Sequence, residues 1–165
     1  MNDETLKLLN IHKKHVTITP ELIERVLKLK DYHPSRQMTN RGGWRSDKFI
    51  NEELWIKELR EHIEKLCDST TRRFWVNING KGHWNEWHTH EYARYGVVFY
   101  LQVPKDSGDI VFRKDGIEYP LTPYPGLLLM IPGKLEHKVL PNNSEENRIS
   151  IAANLEKLVD PASTY

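Results

Sequence analysis

The step His88-Thr89-His90 sets two imidazoles two residues apart. In an extended strand, residues so spaced point to one face, so both can meet a single cation as neutral nitrogen donors suited to Fe(II), Zn or Cu. Eight histidines in 165 residues make one such pair no rarity, so metal ligands and ordinary polar histidines are equally open readings of it. His137 changes the balance. It lies in Leu135-Glu136-His137-Lys138-Val139, just past Pro132-Gly133, where a buried apolar run and a turn would bring the chain back to the same mouth. Three protein ligands with further positions open describe a catalytic site, whereas a closed structural zinc site uses four. The single cysteine, Cys67, removes any thiolate framework, and His83, in a loop, reads as a solvated histidine.

A second chemistry lies in Arg148-Ile149-Ser150. Strand alternation puts Arg148 and Ser150 on one face, and an inward guanidinium needs an anion, which it grips bidentately. The bland alternative is an exposed arginine at a strand start. Tyr100 is a core aromatic by itself, but opposite an arginine its hydroxyl would complete a carboxylate pocket. Trp44 lies in Asn40-Arg41-Gly42-Gly43-Trp44-Arg45-Ser46, which reads either as a surface loop or as a pocket cover. Trp84 and Trp87, beside Trp75, supply wall and core, and with Trp44 are candidates for shielding a pocket from water.

The elements that must position these groups change character near residue 70. Thr19-Pro20-Glu21 opens a helix at a capping hydroxyl, a first-turn proline and an acid, and His33-Pro34 closes it. A second helix is expected over Asn51–Cys67, with Trp55, Leu59, Ile63 and Leu66 as its apolar stripe. From Thr70 the period becomes two. Strands are expected at Phe74–Asn79, Tyr95–Val103, Asp109–Arg113, Ile117–Leu121, Gly126–Ile131, Lys134–Leu140 and Arg148–Asn154, with Asp115-Gly116 as a hairpin turn. The fold expected is α+β, mainly β: a jelly roll or small barrel with N-terminal helices, a single domain over 1–165 in which 1–69 support a core over 70–155.

Composition narrows the partners. Twenty-four Lys+Arg against twenty-three Asp+Glu leave a formal charge of +1, no strong signal for nucleic acid or an anionic membrane. No stretch approaches the ~18 apolar residues of a membrane span, and the first residues lack a signal-like apolar run. With a lone cysteine, the expectation is a cytoplasmic protein.

The ordered motifs Phe74-Trp75-Val76-Asn77-Ile78-Asn79, Trp87-His88-Thr89-His90, Phe99-Tyr100-Leu101-Gln102-Val103-Pro104 with Ser107-Gly108, Ile131-Pro132, Leu135-Glu136-His137 and Arg148-Ile149-Ser150-Ile151 resemble a known family. It is that of the small 2-oxoglutarate and Fe(II)-dependent oxygenases of bacteria and phages, related to the prolyl hydroxylases. The likeness runs from about residue 39 to 155, Thr39–Trp44 included. It implies a double-stranded β-helix of cupin type, with Fe(II) at its mouth held by His88, His90 and His137. It further implies that Arg148 and Ser150, assisted by Tyr100, grip the far carboxylate of 2-oxoglutarate, with Asn77 at the cosubstrate's other end. O2 would be the co-reactant, and hydroxylation of a small molecule, peptide or protein would release succinate and CO2. His90 departs from the wider superfamily, which has an acid there; a neutral ligand leaves the metal one charge more positive. Halogenating members carry a small residue at that place, so an imidazole favours hydroxylation. The rivals are a three-histidine cupin-type dioxygenase that does not use 2-oxoglutarate and a non-catalytic ligand-binding jelly roll. The helices at 20–30 and 51–67 offer faces for a homodimer, and the compartment implied is the bacterial cytoplasm, or that of the host for a phage protein.

Overall fold

The computed structural model describes residues 1–156. In chain order the elements are α1 (Asp3–Leu9), β1 (His12–His15), α2 (Pro20–Tyr32), β2 (Asn40–Arg41), β3 (Trp44–Arg45), a 3-10 turn (Lys48–Glu52), α3 (Leu54–Cys67), β4 (Thr71–Asn79), β5 (Trp84–His88) and β6 (Tyr95–Gln102). There follow β7 (Ile110–Lys114), β8 (Ile117–Leu121), β9 (Leu127–Pro132), β10 (Glu136–Val139) and β11 (Arg148–Leu155). The strands form two antiparallel sheets, a six-stranded one in the order β1-β9-β6-β11-β4-β3 and a five-stranded one in the order β2-β5-β10-β7-β8. This mainly β arrangement, with few helices, is the double-stranded β-helix expected from the sequence.

Alternation along the large sheet decides where each side chain goes. Phe74, Val76 and Ile78 of β4, Val97, Phe99 and Leu101 of β6, and Ile149, Ile151 and Ala153 of β11 join one apolar cluster. Val26 and Leu29 of α2 and Ile56 and Ile63 of α3 belong to it too, so the helices cover the outer face of that sheet. Burying each such side chain contributes about 1.5–3 kcal/mol, which holds the sheet rigid. The residues between them, Trp75, Asn77 and Asn79 on β4 and Arg148, Ser150 and Ala152 on β11, line the cavity instead. A second cluster, with Phe112, Leu129 and Ile131 at its heart, is joined by Leu6 and Leu9 of α1. The Asp115-Gly116 turn has φ of 52° and 77°, the pair of positive values that the tight β7–β8 hairpin requires.

The N-terminal part departs from expectation in several places. It is not solely helical: β1 pairs with β9, β2 with β5 and β3 with β4, adding edge strands to both sheets. These strands are two to four residues long, too short to show a period. The Gly42-Gly43 step, with φ of 70° and 74°, carries the chain from one sheet to the other. Helix α1 precedes them; Asn2 caps it, its Oδ1 accepting from Thr5 N at 2.9 Å. Helix α3 starts at Leu54, not Asn51, and buries Ile56, Ile63 and Cys67 most deeply, with Trp55, Leu59 and Leu66 at the flank.

Candidate active site

Three imidazoles meet at the mouth between the sheets. His88 closes β5 and His137 lies on β10, where the antiparallel register pairs the two directly. Strand β5 stops at His88, so strand alternation does not position His90. The backbone turn after it does: His90 N donates to Gly133 O at 2.7 Å, Ala93 N donates to His90 O at 2.8 Å, and Gly133 N donates to Arg94 O at 3.0 Å. A β-carbon on Gly133 would stand 2.1 Å from Ala93 O and 2.6 Å from His90 O, so only glycine fits that knot. Gly96 of β6 lies beneath the His90 ring, where a β-carbon would come within 3.0 Å of Cδ2. Ring centroids are 4.3 Å apart for His88 and His137, and 5.2 Å for each of these with His90. One nitrogen from each ring lies within 4.8 Å of the others, a set able to hold a metal ion.

Backbone carbonyls choose the tautomers. His88 Nδ1 donates to Glu86 O at 2.7 Å and His137 Nδ1 donates to Leu135 O at 2.9 Å, which leaves each Nε2 lone pair for the shared centre. Burial, followed by the charge of its histidine neighbours, lowers His137 to about 3. Burial and then His88 lower His90 to about 4, and burial lowers His88 too. All three are therefore neutral donors near neutral pH, the state a metal ligand needs.

The cavity behind them measures ≈ 570 Å³. At its deep end Arg148, 1% exposed, donates through Nη1 to Ser107 O and to Leu140 O, the latter at 3.3 Å. Its Nη2 is buried without a partner among the described residues. Ser150 stands one alternation away on β11, with Asn77 across on β4 and Tyr100 across on β6. Burial pushes the Tyr100 phenol well above its usual range, so it stays protonated and able to donate. A guanidinium, a hydroxyl and a phenol thus converge, and Arg148 makes no ion pair with a described carboxylate, so the donor set fits an incoming one.

Not every residue singled out from the sequence lies here. Trp44 is no pocket cover: it is 8% exposed in the core, its Nε1 donating to His33 O at 3.0 Å. Two-residue β3 turns Trp44 to the helices and Arg45 to the cavity. Trp84 is partly exposed and does not line the cavity, and Trp87 lies under the cations of Arg113 and Lys138, at 4.2 and 4.4 Å. The tryptophan that does form the wall is Trp75, stacked on His90 with centroids 6.0 Å apart. His83 lies apart from the cluster and accepts from Gly80 N at 2.9 Å. Asn79, Asn154, Arg45 and Arg73 also line the cavity. Alternation from Asn77 and Ser150 would have found the first two, whereas no periodic signal marks Arg45.

Residues 73–154 match the family model described as "Putative 2OG-Fe(II) oxygenase". Among solved structures, a prolyl hydroxylase from Trichoplax adhaerens, in complex with a hypoxia inducible factor peptide fragment, is similar at 16% identity and a TM-score of 0.72, over 98% of this chain and 90% of that one. A Pseudomonas putida prolyl-4-hydroxylase shares 17% identity at a TM-score of 0.59, over 93% and 96% of the two chains. The viral collagen prolyl hydroxylase of Paramecium Bursaria Chlorella virus-1, solved with 2OG, shares 13% identity at a TM-score of 0.64, over 88% and 94%. No curated protein matches the chain in sequence.

Proposed function

Because residues 73–154 place this chain in the 2OG-Fe(II) oxygenase family, we propose that it is a hydroxylase that converts 2-oxoglutarate to succinate and CO2 as it oxidises a C–H bond. It is an oxidoreductase whose cofactors are Fe(II), 2-oxoglutarate and O2. When bound, the iron and the keto acid supply the oxidising power, one oxygen atom going to the substrate and one to succinate. The protein's task is to hold, orient and exclude.

His88, His90 and His137 would hold the iron through the nitrogens that face one another, with two of the rings already fixed by backbone carbonyls. Arg148, Ser150 and Tyr100 would bind the far carboxylate of 2-oxoglutarate, and Asn77 would meet its other end. The Arg148 Nη2 donor, without a partner among the described residues, is the observation that carries this reading. A buried guanidinium is costly without an anion, and the cosubstrate supplies one. Trp75 excludes water on the side of His90. The imidazole of His90 fills the place that halide chemistry would need open, which favours hydroxylation. Residues 1–156 act as one domain, since the N-terminal part contributes strands to both sheets.

The test needs no knowledge of the substrate. Protein with Fe(II) and 2-oxoglutarate in air should form succinate slowly by itself, and His137→Ala and Arg148→Ala should each abolish it. Iron bound without any succinate would instead favour a dioxygenase that binds its substrate directly to a three-histidine metal.

A further inference from the structure

Among the described residues, four arginines line the cavity, Arg45, Arg72, Arg73 and Arg148, against one carboxylate, Glu91, exposed at the rim. Arg148 has its role in the reading above, which leaves the positive charge on the β3–β4 side unexplained. Arg45 pairs in register with Asn77 and holds its guanidinium carbon 4.5 Å over the Trp75 ring. Among the described residues its Nε is buried with no hydrogen-bond partner, and it makes no ion pair. Arg73 lies two residues before Trp75 on β4, opposite Asn154. Burial, then the charges of Arg36 and Arg73, lower Arg45 to about 10, so it remains a cation held against other cations. That arrangement is stabilised by an anion arriving in the same space. The cavity of ≈ 570 Å³ is in the range that encloses a drug-sized ligand and leaves room beside a five-carbon diacid.

Resting on the oxygenase reading, we infer that the molecule oxidised here is a compact acid, whose carboxylate or phosphate is held by Arg45 and Arg73 beside the three-histidine cluster. Arg45 and His90 both lie against the Trp75 ring and both line the cavity, so the acidic group sits within the chamber and close to the carbon that reacts. A polymeric anion would call for a basic stripe across the surface, and the near-neutral chain has a carboxylate, Glu91, at the rim instead. Trp75 stacks with Arg45 and His90 together, which couples the anion site to the metal site through one rigid ring.

The experiment uses protein loaded with Mn(II), which does not turn over, and saturated with 2-oxoglutarate. Inorganic phosphate and hexaglutamate are then titrated by calorimetry. Saturable phosphate binding is expected, weakened about tenfold or more in Arg45→Gln and in Arg73→Gln, and partly kept in Arg45→Lys. Affinity for 2-oxoglutarate should be unchanged in all three. Arg73 is exposed, so its variant folds even where substitution at Arg45 disturbs the sheet edge. Absence of phosphate binding, displacement of 2-oxoglutarate by phosphate, unchanged affinity in both glutamine variants, or binding of hexaglutamate alone would each overturn the inference. If 2-oxoglutarate failed to bind while phosphate still depended on Arg45, the oxygenase reading would fall and the anion site would stand.

Discussion

Replacing Arg148 by methionine separates binding from folding. In the free protein the guanidinium is buried, its Nη2 has no partner among the described residues, and Nη1 is shared among backbone carbonyls. Methionine fills similar volume and removes an uncompensated buried charge, while leaving those carbonyls without their donor at about 1–3 kcal/mol. The two effects oppose, so the melting temperature of the ligand-free protein should move by only a few degrees. The bound state has no such compensation. A 2-oxoglutarate carboxylate left buried without its cation costs about 3–5 kcal/mol, a loss of roughly 100-fold or more in affinity. The assay is thermal melting with Mn(II), with and without 2-oxoglutarate. Ligand at 100 times its Kd stabilises the wild type by about 2.7 kcal/mol, or roughly 5–11 °C for a chain of this size. Arg148→Met should melt near the ligand-free temperature whether or not that ligand concentration is present. A full ligand-induced shift in the variant would refute the placing of the carboxylate at Arg148.

Gly133→Ala should destabilise the protein by about 1–3 kcal/mol and weaken metal binding, because its β-carbon meets the carbonyls of Ala93 and His90; wild-type metal affinity by competition with a chelator would contradict the turn's role. Trp44→Phe should lower stability by about 1–3 kcal/mol through the lost bond to His33 O and the smaller ring, with uncoupled succinate formation unchanged; loss of that activity at full stability would restore Trp44 as a pocket cover. The metal-free protein should lose stability as pH falls. His137 and His90 have folded values of about 3 and about 4, below the ordinary 6.5, so between those values the unfolded chain binds more protons. Their contribution is complete above about pH 6.5 and declines toward about pH 3–4, which melting after chelation should show and His137→Gln should flatten.

Much of the site was legible because strands write their faces into the sequence with a period of two. Arg148 and Ser150, read as one face, both enter the cavity, and the apolar positions between them enter the core. The Asp115-Gly116 hairpin and the buried run at β9 were equally plain, the first from its need for positive φ, the second from continuous apolar residues. His88 and His90 do converge, but for a reason that periodicity did not supply, since His90 hangs from the Gly133 turn and not from a strand. Trp44 misled because a two-residue strand carries no period, and a glycine-rich stretch gives no sign of which neighbour faces inward.

The sequence by itself determined the fold class and singled out the three histidines that the structure gathers and the Arg148–Ser150 pair that enters the cavity, because each depends on residue type, order and local alternation. Only the tertiary structure decided that Arg45 and Trp75 flank the histidines and that Trp44, Trp84 and Trp87 do not. It also showed which histidine nitrogens stay free. These depend on which strands become neighbours and on carbonyls brought together by long-range pairing, a property of the closed sheets that no local window of sequence contains.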